Sequence, residues 1–333
     1  MFDTTWVQPP FDIVRAAYAE LVVTDLQKSR EFYVDLLGFV VSEETRDALY
    51  LRGYEERLHH SLVLLQGPTA LVDHLAFRVA SPDHLVLLEQ FYEHLGCPVR
   101  WLSNEEVAMG RALRVQDPLG YIVEYFYEMQ PVERLLQRYD LYRGAHVLRI
   151  DHFNLHVSNV QIAFDYYKQL GFRCSEYTVT NSPDEQLWAI WLYRKPSVHD
   201  VALTNGNGPR LHHLGFTVND AQDILRTCDR FAAANQSTVI ERGPGRHGVS
   251  NAFFLYLRDP DGFRIELYTG DYFTGDPDFE PIRWYVDDPR RGTFWGHIAP
   301  VSWFEESSLV KGLDGNPMPL QPASLKERPM TVF

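Results

Sequence analysis

Residues 241–271 read ERGPGRHGVSNAFFLYLRDPDGFRIELYTGD, and the fold turns on how this stretch is parsed. A loop of Gly, Pro, Arg and His runs into an aromatic strand. The turn DPDG at residues 259–262 then leads into a second strand carrying Glu266. Two apolar strands joined by such a turn predict a β-hairpin. Alternation along the second strand gives Arg264, Glu266 and Tyr268 one face, and Ile265 and Leu267 the other. A carboxylate among strong strand formers is costly to bury without a cation, either a metal ion or an Arg partner.

The phrase has an earlier echo. DPLGYIVEYFY at residues 117–127 matches DPDGFRIELY at 259–268, and REFYVDLLGFVV at 30–41 is akin to FDYYKQLGFRC at 164–174. Short apolar strands at residues 17–23, 74–79, 152–157 and 213–218 each precede a polar cap and an amphipathic helix. The first three helices end at Gly38, Gly96 and Gly171, the fourth near Asn235, residues suited to a left-handed C-cap. Ser81 and Pro82 suit an N-cap and first turn. Internal repetition therefore predicts an α+β fold of four βαβββ modules paired into two domains. These span residues 1–140 and 145–270, with a connector near 128–146. Residues 271–333, rich in Pro, Gly and Trp, are expected to wrap the second domain as a tail or lid, or to contact another subunit.

Composition narrows the class. The 333 residues carry 31 basic and 45 acidic side chains, a net charge of −14, which argues against nucleic-acid or anionic-membrane binding. Cys97, Cys174 and Cys228 are scattered, so neither a disulfide framework nor a thiolate metal site is indicated. The sequence opens without a basic then apolar leader pattern, and no apolar run nears membrane-spanning length. A cytoplasmic protein is expected.

Aligning the modules brings out a constellation. Tyr18, His74, His152 and His213 occupy one repeat position, and Glu124 matches Glu266. The second half thus brings His152, His213 and Glu266 to one cavity, the two-histidine, one-carboxylate set that holds divalent iron or manganese with open positions left over. The first half has Tyr18 in place of one ligand and is expected to be non-catalytic, with His74 and Glu124 bonded to each other or to water. His212 should point away from His213, to a structural hydrogen bond.

The strings RIDHFN (149–154), VHDVALTNGNGPRLHH (198–213) and ERGPGRHGVSNAFFLY (241–256) resemble the type I extradiol ring-cleaving dioxygenases of the vicinal-oxygen-chelate superfamily, over almost the whole chain. The resemblance implies paired domains of the glyoxalase and bleomycin-resistance kind. It also implies insertion of both atoms of O2 into a catechol, with 3,4-dihydroxyphenylacetate favoured, and Fe(II) or alternatively Mn(II) on His152, His213 and Glu266. His199 would be the acid/base, with Asn154, His247 and Tyr256 on the oxygen and substrate side. Trp191, Arg242 and Arg291 would shape the substrate pocket, the arginines pairing with a substrate carboxylate. His247 would stay neutral beside a cation and donate to bound oxygen. A homotetramer is implied as well.

Each of these residues has an ordinary alternative: a surface loop for His199, core packing for Tyr256 and Trp191, surface ion pairs for Arg242 and Arg291. Two other functions stay open for such a fold, a metal-dependent lyase or isomerase and a non-enzymatic small-molecule binder.

Overall fold

A computed structural model describes residues 3–327. The first half runs β1 (Ile13–Val23), α1 (Leu26–Arg30, widening into a π-type turn over Glu31–Leu36), β2 (Val40–Glu44), β3 (Ala48–Arg52) and β4 (Leu62–Gln66). It continues with β5 (Leu71–Val79), α2 (Asp83–His94), β6 (Val99–Ser103), β7 (Arg111–Gln116) and β8 (Ile122–Phe126). The second half runs β9 (Val147–Val157), α3 (Val160–Gln169), β10 (Arg173–Val179), β11 (Leu187–Tyr193) and β12 (Val201–Asn205). Then come β13 (Arg210–Val218), α4 (Ala221–Ala233), β14 (Ile240–Arg246), β15 (Phe253–Arg258) and β16 (Arg264–Thr269). This is βαβββ four times, the expected α+β architecture. The opening strands begin three to five residues before their expected starts.

Local chemistry sets the boundaries. Asp25, Asn159 and Asp220 cap α1, α3 and α4 by accepting the N–H of Lys28, Ile162 and Asp223. Before α2, the Ser81 hydroxyl accepts the Asp83 N–H at 3.3 Å. The helix ends at Gly38, Gly96, Gly171 and Asn235 have φ of +81°, +69°, +82° and +58°, the left-handed region that glycine and asparagine tolerate.

Each half forms one curled sheet. The first has the order β2-β3-β4-β1-β5-β8-β7-β6, and the second begins from the equivalent β10-β11-β12-β9-β13-β16-β15-β14. The antiparallel pairs β1·β5 and β9·β13 join the two modules of each sheet. Between the sheets lies a shared core in which Phe77 meets Phe153 and Phe172 edge-on at 5.6 and 5.7 Å. Burying each such ring contributes roughly 1.5–3 kcal/mol. The Tyr92 hydroxyl bonds those of Tyr125 (2.6 Å) and Tyr166 (2.5 Å), which satisfies three buried phenols across the junction.

The chain after β16 extends the second sheet. Strands β17 (Ile282–Tyr285) and β18 (Trp295–Gly296) add to β10 and β14, and β19 (Ser308–Leu309) pairs β13. Helices α5 (Pro289–Gly292) and α6 (Val301–Glu305) lie between them. Asn205 then holds Leu325 through both its amide groups, at 2.9 and 3.2 Å. Residues 328–333 of the expected tail lie outside the described residues. Among the described residues no helix is long and apolar enough to cross a membrane.

Candidate metal centre and substrate cavity

The concave face of the second sheet encloses a cavity of about 810 Å³, walled by β9, β11, β13, β15 and β16 and closed by α5, α6 and the tail. His152 on β9, His213 on β13 and Glu266 on β16 converge at its floor. His152 Nε2 is 3.1 Å from His213 Nε2 and 3.0 Å from Glu266 Oε2, and His213 Nε2 is 3.1 Å from the same oxygen. Adjacent ligands about 2.1 Å from one octahedral ion stand about 3.0 Å apart, so the spacing fits a single ion.

The tautomers point the same way. His152 Nδ1 is 2.9 Å from Asp151 Oδ2, which only accepts, so its proton sits on Nδ1 and the Nε2 lone pair faces the centre. His212 Nε2 is 2.9 Å from the Trp303 carbonyl and must carry a proton there. Burial first, then Arg264, keeps His212 neutral, leaving its Nδ1 as an acceptor. His213 Nδ1, 2.7 Å away, is then the donor, and its Nε2 lone pair also faces the centre. Two lone pairs and a carboxylate oxygen thus meet with no proton assigned between them, an arrangement that needs a cation.

Electrostatics reflect the same demand. Burial opposes a charge on His152, but the Asp151 and Glu266 carboxylates outweigh it and raise its pKa to about 9, so a proton takes the shared position wherever a metal cation does not displace it. Burial would raise the Glu266 pKa, yet the two imidazoles set against its oxygen hold it well below the ordinary carboxylate range.

Backbone irregularities create this site. The β9·β13 register slips at Asp151 and again at His212. These bulges swing side chains that a regular strand would turn away into line with their neighbours. Contrary to the expectation from alternation, His212 therefore sits beside His213 in the same cavity wall. Gly215 makes room for the ligand ring, since a Cβ there would come within 2.1 Å of His152.

The other expected residues gather around the centre. His199, in the loop before β12, is buried rather than on the surface, and its ring lies 3.9 Å from that of His152. Burial and then His152 depress its pKa well below the usual imidazole value, so it is neutral, and its Nδ1 has no hydrogen-bond partner. Asn154, two residues beyond His152, accepts from the Thr204 hydroxyl at 3.3 Å.

His247 stacks on Phe254 at 3.8 Å, and burial followed by Arg242 lowers its pKa to about 3. Its Nδ1 donates to the Gly292 carbonyl at 2.5 Å, so its Nε2 accepts from the Tyr256 hydroxyl at 2.9 Å. This modifies the sequence reading. The imidazole is neutral beside a cation, but that cation is Arg242 and its one donor is already engaged.

Arg242 and Arg291 are buried in the cavity wall, not paired on the surface. Arg242 Nη2 donates to the Gly292 carbonyl and the Thr293 hydroxyl, both at 2.7 Å. Arg291 packs over Trp188 at 5.1 Å, while exposed Arg290 pairs with Asp288 at 2.8 Å. The Nε of each buried guanidinium lacks a partner. Burial lowers both pKa values to about 10, and the charge of Arg242 adds to the lowering at Arg291. Trp191 combines both of its readings, packing with Trp188 and Val249 while lining the cavity.

Three participants escaped the sequence reading. Asp151 was hidden by strand alternation, which turns it away from its neighbour. Trp303 lies in the irregular tail, yet its ring is 4.3 Å from Tyr256 and 4.5 Å from the Arg242 guanidinium. Lys195 sits in a loop where no spacing rule marks it.

The first half differs from expectation too. His74 and Glu124 do not bond each other directly, being 4.0 Å apart. The Tyr18 hydroxyl bridges them, and Arg114 holds Glu124 at 2.6 Å.

Comparison with known proteins agrees with this geometry. Residues 15–125 and 149–267 match the Glyoxalase/Bleomycin resistance protein/Dioxygenase superfamily. A solved homoprotocatechuate 2,3-dioxygenase from Arthrobacter globiformis is 50% identical, with a TM-score of 0.90, covering 96% of this chain and 98% of its own. A variant of the Brevibacterium fuscum homoprotocatechuate 2,3-dioxygenase is 47% identical, with a TM-score of 0.92, over 97% of this chain and 90% of its own. A manganese-dependent 2,3-dihydroxybiphenyl 1,2-dioxygenase from Geobacillus genomosp. 3 is 32% identical over 85% of this chain and 94% of its own. The chain belongs to this superfamily and, within it, to the extradiol ring-cleaving dioxygenases. Its chemistry is the metal-dependent opening of a catechol ring by O2, with Fe(II) or Mn(II) as the ion.

Proposed function

We propose that this enzyme is a 3,4-dihydroxyphenylacetate 2,3-dioxygenase, forming 5-carboxymethyl-2-hydroxymuconate semialdehyde, with His152, His213 and Glu266 holding its ion. The observation that carries the substrate assignment is the pair of buried guanidiniums, Arg242 and Arg291, in the wall of the same cavity. Among the described residues neither has a carboxylate bonded to it, and each leaves its Nε unsatisfied. Burying a cation this way is costly unless an anion arrives, and a carboxymethyl substituent supplies one. Trp191 and Trp188 offer flat apolar walls for the ring.

When bound, the divalent ion acidifies a chelating catechol and brings catechol and O2 together. The protein manages the protons. His199, neutral and lining the cavity, accepts one from a catechol hydroxyl and returns it as the ring opens. The Tyr256 hydroxyl, which rests against His247 Nε2, turns its one proton from that nitrogen to a substrate-derived oxygen, and Asn154 lines the same space. Water is limited by the tail, whose Glu327 carbonyl accepts from the Trp188 indole at 2.8 Å. In this reading residues 1–140 are non-catalytic, 145–270 carry the reaction, and 271–333 form the lid. A cytoplasmic homotetramer belongs to the same proposal.

An oxygen electrode tests it against a panel of catechols. One O2 should be consumed per 3,4-dihydroxyphenylacetate opened. Replacing the charged contact, Arg291→Leu, should raise the KM for that substrate by at least about tenfold and leave plain catechol nearly unaffected. Equal effects on both substrates would remove the carboxylate contact.

A further inference from the structure

His199 stands on a loop, and a proton carrier on a loop needs something to fix its distance from the substrate. The loop between β11 and β12 is closed from within by one ammonium group. Lys195 Nζ donates to the His199 carbonyl at 2.6 Å and to the Asp151 carbonyl at 2.7 Å. It lies 3.1 Å from Asp200 Oδ1, so each of its three N–H groups has an acceptor. The second Asp151 oxygen, otherwise without a partner, is 3.5 Å away.

Asp200 completes the ring of contacts. Its Oδ2 accepts the N–H of Arg194 at 2.6 Å and of Lys195 at 3.1 Å, and its Oδ1 accepts the Ala16 N–H of the first half at 2.8 Å. The loop is therefore tied on one side to the strand of a metal-site histidine and on the other to β1. Neither Lys195 nor Asp200 lines the cavity itself.

We propose that Lys195 is a positioning residue for this reaction, holding the His199 loop against Asp151 so that the His199 ring keeps its place beside His152. The proposal rests on the reading of His199 as proton carrier. A lysine acting this way has three marks. Its loss should lower kcat and spare substrate binding. A guanidinium, which reaches the same acceptors, should restore much of the rate. Once His199 itself is gone, the lysine should no longer matter.

A double-mutant cycle on the metal-loaded enzyme reads all three. Lys195→Met should lower kcat about tenfold with KM changed by less than about twofold, and Lys195→Arg should recover most of the loss. In a His199→Asn background the added Lys195→Met should cost less than about twofold. Equal costs in both backgrounds, or no cost in either, would overturn the proposal. Should Lys195→Met lower the thermal midpoint too far for assay, Lys195→Gln takes its place in the cycle with the same expectation.

Carbethoxylation of His199, followed by peptide mass, reads the loop without any turnover. It should run about tenfold faster in the Lys195 variant than in the parent enzyme, since local opening exposes the ring. Equal rates would overturn the proposal even if the parent opened no catechol, so the two failures are separable.

Discussion

The two halves of this chain share one fold and part ways at one spot. Tyr18 faces Ala76 in the first sheet as His152 faces Gly215 in the second. Arg114 pairs with Glu124 as Tyr256 pairs with Glu266. The Ala19 N–H bonds the Ser61 carbonyl as the Phe153 N–H bonds that of Asp200, which makes His60 the counterpart of His199. The first half thus keeps a histidine on β5, a buried carboxylate on β8 and the histidine of the loop. It carries a phenol where the second half has His152, and a guanidinium where the second half has Tyr256.

That pair of changes is instructive. Glu124 and Glu266 are both buried, and each needs positive charge nearby. Arg114 supplies it from within the chain, at 2.6 and 2.9 Å. In the second half the matching position is an uncharged tyrosine, and two imidazole lone pairs crowd the carboxylate instead. One half solves the charge internally; the other, in the function proposed here, leaves it to an ion.

The comparison can be broken most severely at Arg114. Arg114→Met should destabilise the protein by roughly 3–5 kcal/mol, because Glu124 is left buried and unpaired. Tyr256→Phe at the matching position should cost only about 0.5–1.5 kcal/mol, the worth of one hydrogen bond. Denaturant midpoints measure both. Similar values for the two would mean that Arg114 is not the internal counter-ion.

A smaller effect tests where the halves agree. Asp117 and Asp259 open the matching turns, and burial raises both carboxyls to about 7. Folding therefore favours their protonated form. The stability they contribute is fully present below about pH 4 and is lost as pH rises through about 7, with a slope of at most about 1.4 kcal/mol per pH unit for each. Joining Asp117→Asn to Asp259→Asn should flatten the thermal midpoint across that window relative to the parent. An unchanged slope would show that neither carboxyl titrates with folding.

Much of this was legible in the sequence because repetition is a strong constraint. Four βαβββ units followed from strand openings and from glycine C-caps, and the convergence of His152, His213 and Glu266 from matching them across units. What escaped depends on irregularity. Alternation turned Asp151 and His212 away, whereas β-bulges bring both into the ligand network. His74 and Glu124 were expected to bond each other or water; Arg114 escaped because it lies on a different strand, and its bond to Glu124 comes from β7·β8 pairing. Trp303 and Lys195 lie in the tail and a loop, where neither period nor spacing singles out a residue. The engagement of the His247 N–H was illegible for a similar reason. That donor is consumed by Gly292, which only the packing of α5 against the β14 loop brings near.

The metal content of the purified enzyme tests the central claim most directly. One iron or manganese ion per chain should be found, lost in His213→Ala and retained in His74→Ala, although the two histidines occupy the same repeat position. Two ions per chain, or loss from His74→Ala with retention in His213→Ala, would contradict the division of labour between the halves.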